Sequence, residues 1–108
     1  MTFDDVCRIA AELPRVARGT SYGTPALHAG KKFMARLKED GVTMVLKIGF
    51  DVRDILIEAK PKTFFITDHY RDHPSVLIRL EKIGEREMRG LLRQAWEFAT
   101  ARRRGAPR

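Results

Sequence analysis

The first residues in this chain that suggest chemistry are two histidines, each preceded by an aspartate. His69 and His73 lie four positions apart, and Asp68 and Asp72 stand directly before them. Imidazole together with carboxylate suits zinc and similar ions, and two histidines at this spacing share one face when they lie on a helix. Pro74 and the apolar runs on either side favour a loop between strands instead. We therefore predict a polar loop without a metal or other cofactor, with a metal site as the alternative.

A serine hydrolase site would need Ser21 or Ser75 together with His69 and Asp68. Neither serine lies in a nucleophile-elbow sequence, and an aspartate adjacent to its histidine rarely has the geometry that orients an imidazole. His28, in an early strand, has no obvious partner in the sequence. The chain contains no recognisable catalytic constellation, and we predict that it is not an enzyme.

The segment SYGTP at residues 21–25 is a candidate turn with an aromatic residue at its tip. Gly23 can adopt positive φ, and Pro25 stiffens the bend. Tyr22 then either packs on the rim of the turn or stacks on a nucleic-acid base, as aromatic residues do in single-strand binders. A single glycine in this turn does not match the phosphate-cradling loop of nucleotide-binding enzymes.

Hydrophobic periodicity predicts three helices and six strands in the order helix, strands, helix, two strands, helix. The first helix starts after Thr2 and ends before Pro14, the second is capped by Asp51, and the third begins near Glu85. The predicted strands cover residues 16–22, 26–29, 32–37, 42–48, 63–67 and 75–80. Short connections favour an antiparallel sheet, and one-sided helices must bury their apolar stripes against it. The sequence therefore predicts an α/β (α+β) two-layer sandwich with all helices on one face.

Strict strand alternation divides the predicted sheet into an apolar face and a basic face. The core should contain Phe33, Leu46, Phe64, Val76, Ile78, Leu91 and Trp96. The opposite face should expose Lys32, Arg36, Lys47 and Arg79, spaced by Met34, Val45 and Leu77, without an acidic residue. Such a surface suits a phosphate backbone or an acidic protein groove. The alternative is an ordinary solvated face whose basic side chains cover apolar neighbours.

Length and charge limit the classes of protein that this chain can represent. The chain has 108 residues, one cysteine and a formal net charge of +7, which favours anionic partners. We expect one domain over residues 1–101 and a disordered basic tail over residues 102–108 that holds four of the arginines. The start of the chain lacks the pattern of a signal peptide, and no apolar run is long enough for a membrane span. We therefore expect a cytoplasmic monomer without membrane contact.

Several short segments, taken in order, resemble one known family. They are ELP at residues 12–14, SYGTP at 21–25, KFMARL at 32–37, LK at 46–47, TDHY at 67–70 and VLIRL at 76–80. The chain resembles the MmcQ/YjbR family of small bacterial proteins, which often carry a DNA-binding label. The resemblance implies a two-layer fold with the topology of type III secretion chaperones. It carries over no active-site residues.

Three hypotheses for function remain at this point. The first is a DNA-binding module that uses the basic sheet face and the adjoining loop, through Tyr22, Lys32, Arg36, Lys47, Arg71, His73 and Arg79. The second is a protein-binding or chaperone-like adaptor that uses the same face for an acidic partner. The third is an enzyme or metal protein built around His69 and His73. A basic stripe on the third helix, formed by Arg86, Arg89 and Arg93, is a second candidate surface for nucleic acid.

Overall fold

The structure of the protein is a computed structural model that describes residues 1–101. The predicted basic tail, residues 102–108, lies outside the described residues. The elements follow the predicted order: α1 (Phe3–Ala10), β1 (Val16–Ser21), β2 (Thr24–Ala29), β3 (Lys32–Leu37), β4 (Thr43–Lys47), α2 (Phe50–Ala59), β5 (Phe64–Phe65), β6 (Ser75–Arg79) and α3 (Glu85–Thr100). Short 3₁₀ turns cover Asp68–Tyr70 and Leu80–Lys82. Within the described residues, no helix is long and apolar enough to cross a membrane.

The six strands form one antiparallel sheet in the order β1-β2-β3-β4-β6-β5. The hairpin between β3 and β4 is held by Asp40, because its Oδ1 accepts the backbone N–H groups of Val42 and Thr43 at 2.9 Å each. Its Oδ2 also accepts the Thr43 hydroxyl at 2.8 Å. Gly41 takes the positive φ of 76° that the turn requires. Asp-Gly is a strong hairpin signal in a sequence, and Asp40-Gly41 lies at the turn of this hairpin.

Local capping explains where α1 begins, but not where α2 begins. Thr2 and Asp5 form a reciprocal capping box at the start of α1, as the predicted cap at Thr2 requires. The predicted cap at Asp51 is wrong, because α2 starts one residue earlier, at Phe50. Gly49, with φ of 103°, occupies the cap position without any side-chain hydrogen bond. Its freedom at positive φ allows the chain to leave β4 and enter the helix at once.

The main hydrophobic core lies between the three helices and one face of the sheet. Of the seven predicted core residues, five are buried there: Leu46, Phe64, Val76, Ile78 and Leu91. Trp96 is half-buried against this cluster, and its indole N–H donates to the Pro14 carbonyl at 3.0 Å. We call the opposite side of the sheet, turned away from this core, the outer face. A small second cluster on the outer face joins Val45, Leu77 and Tyr70.

A bulge in β3 reverses the predicted alternation at the start of that strand. The pairing of β2 with β3 shifts between Leu27 and His28, so that Met34 is an extra residue on β3. Met34 and the following Ala35 are both buried in the main core. Lys32 consequently pairs with the core residue Ala29 and lies on the helix side, whereas Phe33 pairs with His28 on the outer face. The predictions of an outer Lys32, an outer Met34 and a core Phe33 are therefore wrong.

Candidate functional site

The outer face contains a cavity of about 380 Å³ between the β1–β2 turn and the loop before β6. The sheet supplies its floor through Phe33, Arg36, Val45 and Lys47. The loop supplies one wall, and the turn with its adjoining strand residues supplies the other. All three histidines of the chain line this cavity, although His28 is more than 40 positions from the others. The fold therefore brings together chemistry that the sequence leaves scattered.

His28 lies on the outer face because its neighbours in β2, Leu27 and Ala29, both lie in the main core. The bulge in β3 then places Phe33 opposite it. The ring centroids of His28 and Phe33 lie 6.0 Å apart in an edge-to-face arrangement. Lys47, at the end of β4, is half-buried in the floor and pairs with Ser75 of β6. A simple alternating pattern in β3 gives no sign that His28 and Lys47 share one hollow.

Arg36 is the central cation of the floor, and it is buried rather than exposed as predicted, with 6% of its surface accessible. Its Nη2 donates to the Tyr70 hydroxyl at 3.2 Å, and its Nη1 donates to Thr24 Oγ1 at 3.2 Å. Burial alone would lower the pKa of Arg36, but the hydrogen bond that it donates to Tyr70 and the nearby Glu39 carboxylate outweigh burial and raise the pKa. The guanidinium therefore stays charged beneath the cavity.

The loop wall is an aromatic cluster built on a 3₁₀ turn. Tyr70 is buried against the outer face. The rings of His69 and His73 stack with centroids 5.7 Å apart and an interplanar angle of 26°. His69 also packs edge-on against Tyr70 at 4.8 Å. The spacing of four residues between His69 and His73 thus brings their rings together on a loop and not on one face of an α-helix.

Arg53 of α2 holds this loop in place, although it is not among the residues predicted for the site. Its Nη1 donates to three backbone carbonyl oxygens, those of Tyr70 at 3.4 Å, Arg71 at 3.1 Å and His73 at 3.0 Å. The residue is 7% exposed. Helical spacing predicts that Val52, Ile55 and Leu56 share the core-facing side of α2, yet Ile55 is 65% exposed. Val52 and Leu56 do pack against the core as predicted. The one sign of this role in the sequence is that an arginine stands between Val52 and Leu56, which both face the core.

Tyr22 stands at the rim of the cavity in a conformation that is unusual for an aromatic residue. Tyr22 and Gly23 have φ values of 53° and 78°, as in the type I′ turns that join two-residue hairpins. Bulky residues rarely occupy this region, and such strain concentrates at ligand-binding sites. The side chain is 86% exposed, and the Arg36 guanidinium lies 5.2 Å from its ring centroid. The ring is therefore available for stacking.

The electrostatic character of the cavity is positive. Among residues 1–101, no aspartate or glutamate lines it. None of the ion pairs within the described residues involves Lys47 or a histidine. Glu39, which does not line the cavity, approaches Arg36 at 3.5 Å and is itself mostly exposed. The described residues also contain no group of three histidine, cysteine or acidic side chains placed to hold a metal ion. Such a cavity suits an anion that also carries an aromatic group.

Four of the seven predicted binding residues line this cavity: Tyr22, Arg36, Lys47 and His73. Arg79 lies farther along the outer face, with its guanidinium 4.0 Å from the Phe65 ring centroid. Arg71 is exposed at the surface of the loop and forms an ion pair with Asp68. Lys32 borders a separate hollow beside Trp96 on the helix side. The four-residue basic patch predicted from alternation therefore does not exist in that form.

The second candidate surface, the basic stripe of α3, is partly neutralised by carboxylates. Arg89 pairs with Glu12 through two contacts of 2.9 Å and with Glu85 at 3.1 Å. The hydrogen bonds to these two carboxylates raise the pKa of Arg89. Because this guanidinium is already engaged on both sides, the stripe is a weaker site for an anion than the cavity.

Similar proteins include the uncharacterized proteins Rv2570 of Mycobacterium tuberculosis (strain ATCC 25618 / H37Rv) and Mb2600 of Mycobacterium bovis (strain ATCC BAA-935 / AF2122/97). Each is 27% identical over 113 aligned positions, which cover 88% of this chain and 85% of the relative. The crystal structure of Deinococcus radiodurans protein DR2400, a DUF419 domain, matches with a TM-score of 0.77 at 20% identity. That match covers 94% of this chain and 80% of the other, and it shows a shared fold.

The model of one protein family matches most of the chain. The matched segment, residues 11–98, runs from the end of α1 to near the end of α3 and so includes every strand and every residue of the cavity. The match agrees with the resemblance found in the sequence, including the TDHY and VLIRL segments that flank the cavity. The chain belongs to the YjbR family.

Proposed function

We propose that this protein binds DNA through the cavity on its outer face, without catalysis, and that it favours single strands over duplexes. The observation that carries the proposal is a cationic cavity without carboxylates directly beside an exposed tyrosine. Lysine and arginine contacts to phosphate supply most of the affinity of non-specific nucleic-acid binding. An aromatic ring beside them adds sequence-tolerant stacking.

The preference for single strands follows from the position of Tyr22. A base inside a duplex is already stacked on both sides, so this ring can reach only a base that is free. The bases of a single strand are accessible, and each stacking contact typically contributes about 1–3 kcal/mol. Arg36 beneath the same ring adds positive charge close to the place where the phosphate would lie.

Two lysines on neighbouring strands provide a matched test. Lys47 lines the cavity, whereas Lys32 lies on the helix side of the same sheet. In Lys47→Met and Lys32→Met, the charge is lost while an unbranched apolar side chain remains. Fluorescence anisotropy with single-stranded and duplex DNA at two salt concentrations would measure the affinity. We expect Lys47→Met to weaken binding to all sequences and to flatten the salt dependence by about one unit. Lys32→Met should bind as the unmodified protein does.

The basic tail needs its own control, since four of its residues are arginines. A chain that ends at residue 101 keeps every described element and should retain single-strand binding. If this shortened chain loses all binding while Lys47→Met in the full chain binds normally, the cavity is not the DNA-binding site. An adaptor role for the outer face, with an acidic protein partner, would then be the better proposal.

A further inference from the structure

We infer that the cavity takes a terminal phosphate, the phosphomonoester of a nucleotide or of a strand end, in preference to an internal phosphodiester. This inference deepens the proposed function and rests on it for the nucleic-acid class of ligand. The ligand would place its phosphate over the floor of the cavity and its first base against Tyr22.

The first argument is the distribution of cations on the outer face. A groove that follows a phosphate backbone needs positive charges spaced along its length. Here the charges converge on one hollow instead, because Lys32 lies on the other side of the sheet. Arg79 is stacked on Phe65 and donates to the Lys62 carbonyl at 3.2 Å, outside the cavity. The outer face is therefore built to hold one phosphate.

The second argument is the amount of charge and the number of donors. The cavity combines the permanent charges of Arg36 and Lys47 with the imidazoles of His28, His69 and His73. Each imidazole can donate a hydrogen bond and becomes cationic when it is protonated. A terminal phosphate carries about −1.5 to −2 charges at pH 7 and three acceptor oxygens, whereas a diester carries a single negative charge. A monoester matches this set of donors better.

The third argument is that the central donor is already fixed in position. Arg36 is held by the Tyr70 hydroxyl, by Thr24 Oγ1 and by the Leu37 carbonyl, so an arriving anion need not order a long flexible side chain. The guanidinium is buried, yet its only carboxylate neighbour within the described residues is the exposed Glu39. A buried charge is normally matched by a close counter-charge. A phosphate in the cavity would supply it.

The size of the cavity limits the ligand to about one nucleotide unit. Its volume of about 380 Å³ lies near the lower end of the range for small-molecule sites, about 300–1,000 Å³. Tyr22 at the rim then determines where the nucleoside part lies, since it is the exposed aromatic ring beside Arg36. In this arrangement the phosphate contacts Arg36 and Lys47, and the base contacts Tyr22.

The test compares ligands that differ only in the terminal phosphate. One arm uses a short thymidine oligonucleotide labelled at its 3′ end, with either a 5′-phosphate or a 5′-hydroxyl. The other arm uses adenosine monophosphate, adenosine and inorganic phosphate in calorimetric titrations. We expect the phosphorylated oligonucleotide and the monophosphate to bind about tenfold more tightly, or better, than their unphosphorylated forms, a difference of about 1.4 kcal/mol. Lys47→Met should remove this difference, and Lys32→Met should keep it.

The results separate this inference from the proposed function. If both oligonucleotides bind equally and Lys47→Met weakens both, the cavity binds DNA but the inference is overturned. If the monophosphate binds more tightly than adenosine while neither oligonucleotide binds, the inference holds for a free nucleotide and the proposed function fails. Equal binding of adenosine and its monophosphate, or an unchanged ratio in Lys47→Met, would overturn the inference. Thermal melting of both variants checks that each remains folded.

Discussion

The Nη2 atom of Arg36 lies 3.2 Å from the hydroxyl oxygen of Tyr70, and this bond joins the floor of the cavity to its loop wall. The two residues are 34 positions apart, and both are buried. The hydroxyl fixes the direction of the guanidinium, while the tyrosine ring packs on Val45 and Leu77 of the sheet. The shape of the cavity and the position of its central charge therefore depend on the same contact.

Removal of that hydroxyl should loosen the cavity without emptying the small cluster beneath it. Tyr70→Phe keeps the ring but leaves a buried arginine donor without its partner, which typically costs about 1–3 kcal/mol. We expect urea denaturation to show a loss of stability in this range, together with weaker binding of phosphorylated ligands. Tyr22→Phe is the matched control, because that hydroxyl belongs to an exposed ring at the rim. Equal stability of Tyr70→Phe and the unmodified protein would show that this contact contributes little.

Arg53 should prove to be a positioning residue for the histidine loop. In Arg53→Met the helix keeps a long side chain, but the carbonyls of Tyr70, Arg71 and His73 lose their shared donor. We expect a loss of about 2–3 kcal/mol, since hydrogen bonds from a charged donor are among the stronger ones and Arg53 makes three of them. Hydrogen exchange should become faster in residues 68–74 while β4 stays protected. Arg86→Met, which changes an exposed arginine of α3, should alter neither measurement.

Arg53 shows which parts of the site could be predicted from the sequence and which could not. The element order could be predicted because helix and strand periodicities are local, as in the α3 stripe of Met88, Leu91, Leu92 and Ala95. The position of Arg53 depends on a loop that folds against α2 about 20 residues later in the chain. No local pattern contains that relationship.

The bulge at Met34 illustrates the same limit within one strand. In residues 32–37 every second residue, from Phe33 to Leu37, is apolar. Strict alternation therefore placed Lys32 and Arg36 together on the opposite face. The extra residue appears only when β3 is paired with β2, because a bulge is a property of two strands. The bulge consequently moves Lys32 to the helix side and places Phe33 beside His28 on the outer face, so the predicted basic face is not continuous. Arg36 and Lys47 stay on the predicted side, because Arg36 lies beyond the bulge and Lys47 on a different strand.

Acid should weaken the β3–β4 hairpin through Asp40. Desolvation raises the pKa of this carboxyl, but the hydrogen bonds from Val42 and Thr43 outweigh it, so the net pKa is lowered from 3.8. A lowered folded pKa means that the stabilisation is complete above the unfolded value and is lost as the pH falls through the folded one. Asp40→Ala should therefore cost about 1 kcal/mol near neutral pH. The difference from the unmodified protein should shrink below about pH 4.

Denaturation at pH 7, 5, 4 and 3 measures that effect. Asp72→Asn, a change at an exposed aspartate of the loop, is the control and should leave the pH profile unchanged. A difference between Asp40→Ala and the unmodified protein that stays constant from pH 7 to pH 3 would contradict the assignment. It would show that the turn depends on the shape of residue 40 and not on its charge.

Tyr22 should separate stability from binding. Asparagine is favoured at positive φ in a type I′ turn that continues with glycine, whereas tyrosine is strained there. Tyr22→Asn should therefore raise the free energy of unfolding by about 0.5–1 kcal/mol. The same change removes the exposed ring, so single-strand affinity should fall by about 1–3 kcal/mol, the usual contribution of one stacked base. Thermal melting and fluorescence anisotropy on one preparation measure both quantities. If Tyr22→Asn is less stable than the unmodified protein and binds DNA equally well, Tyr22 serves the shape of the turn and not the binding of a base.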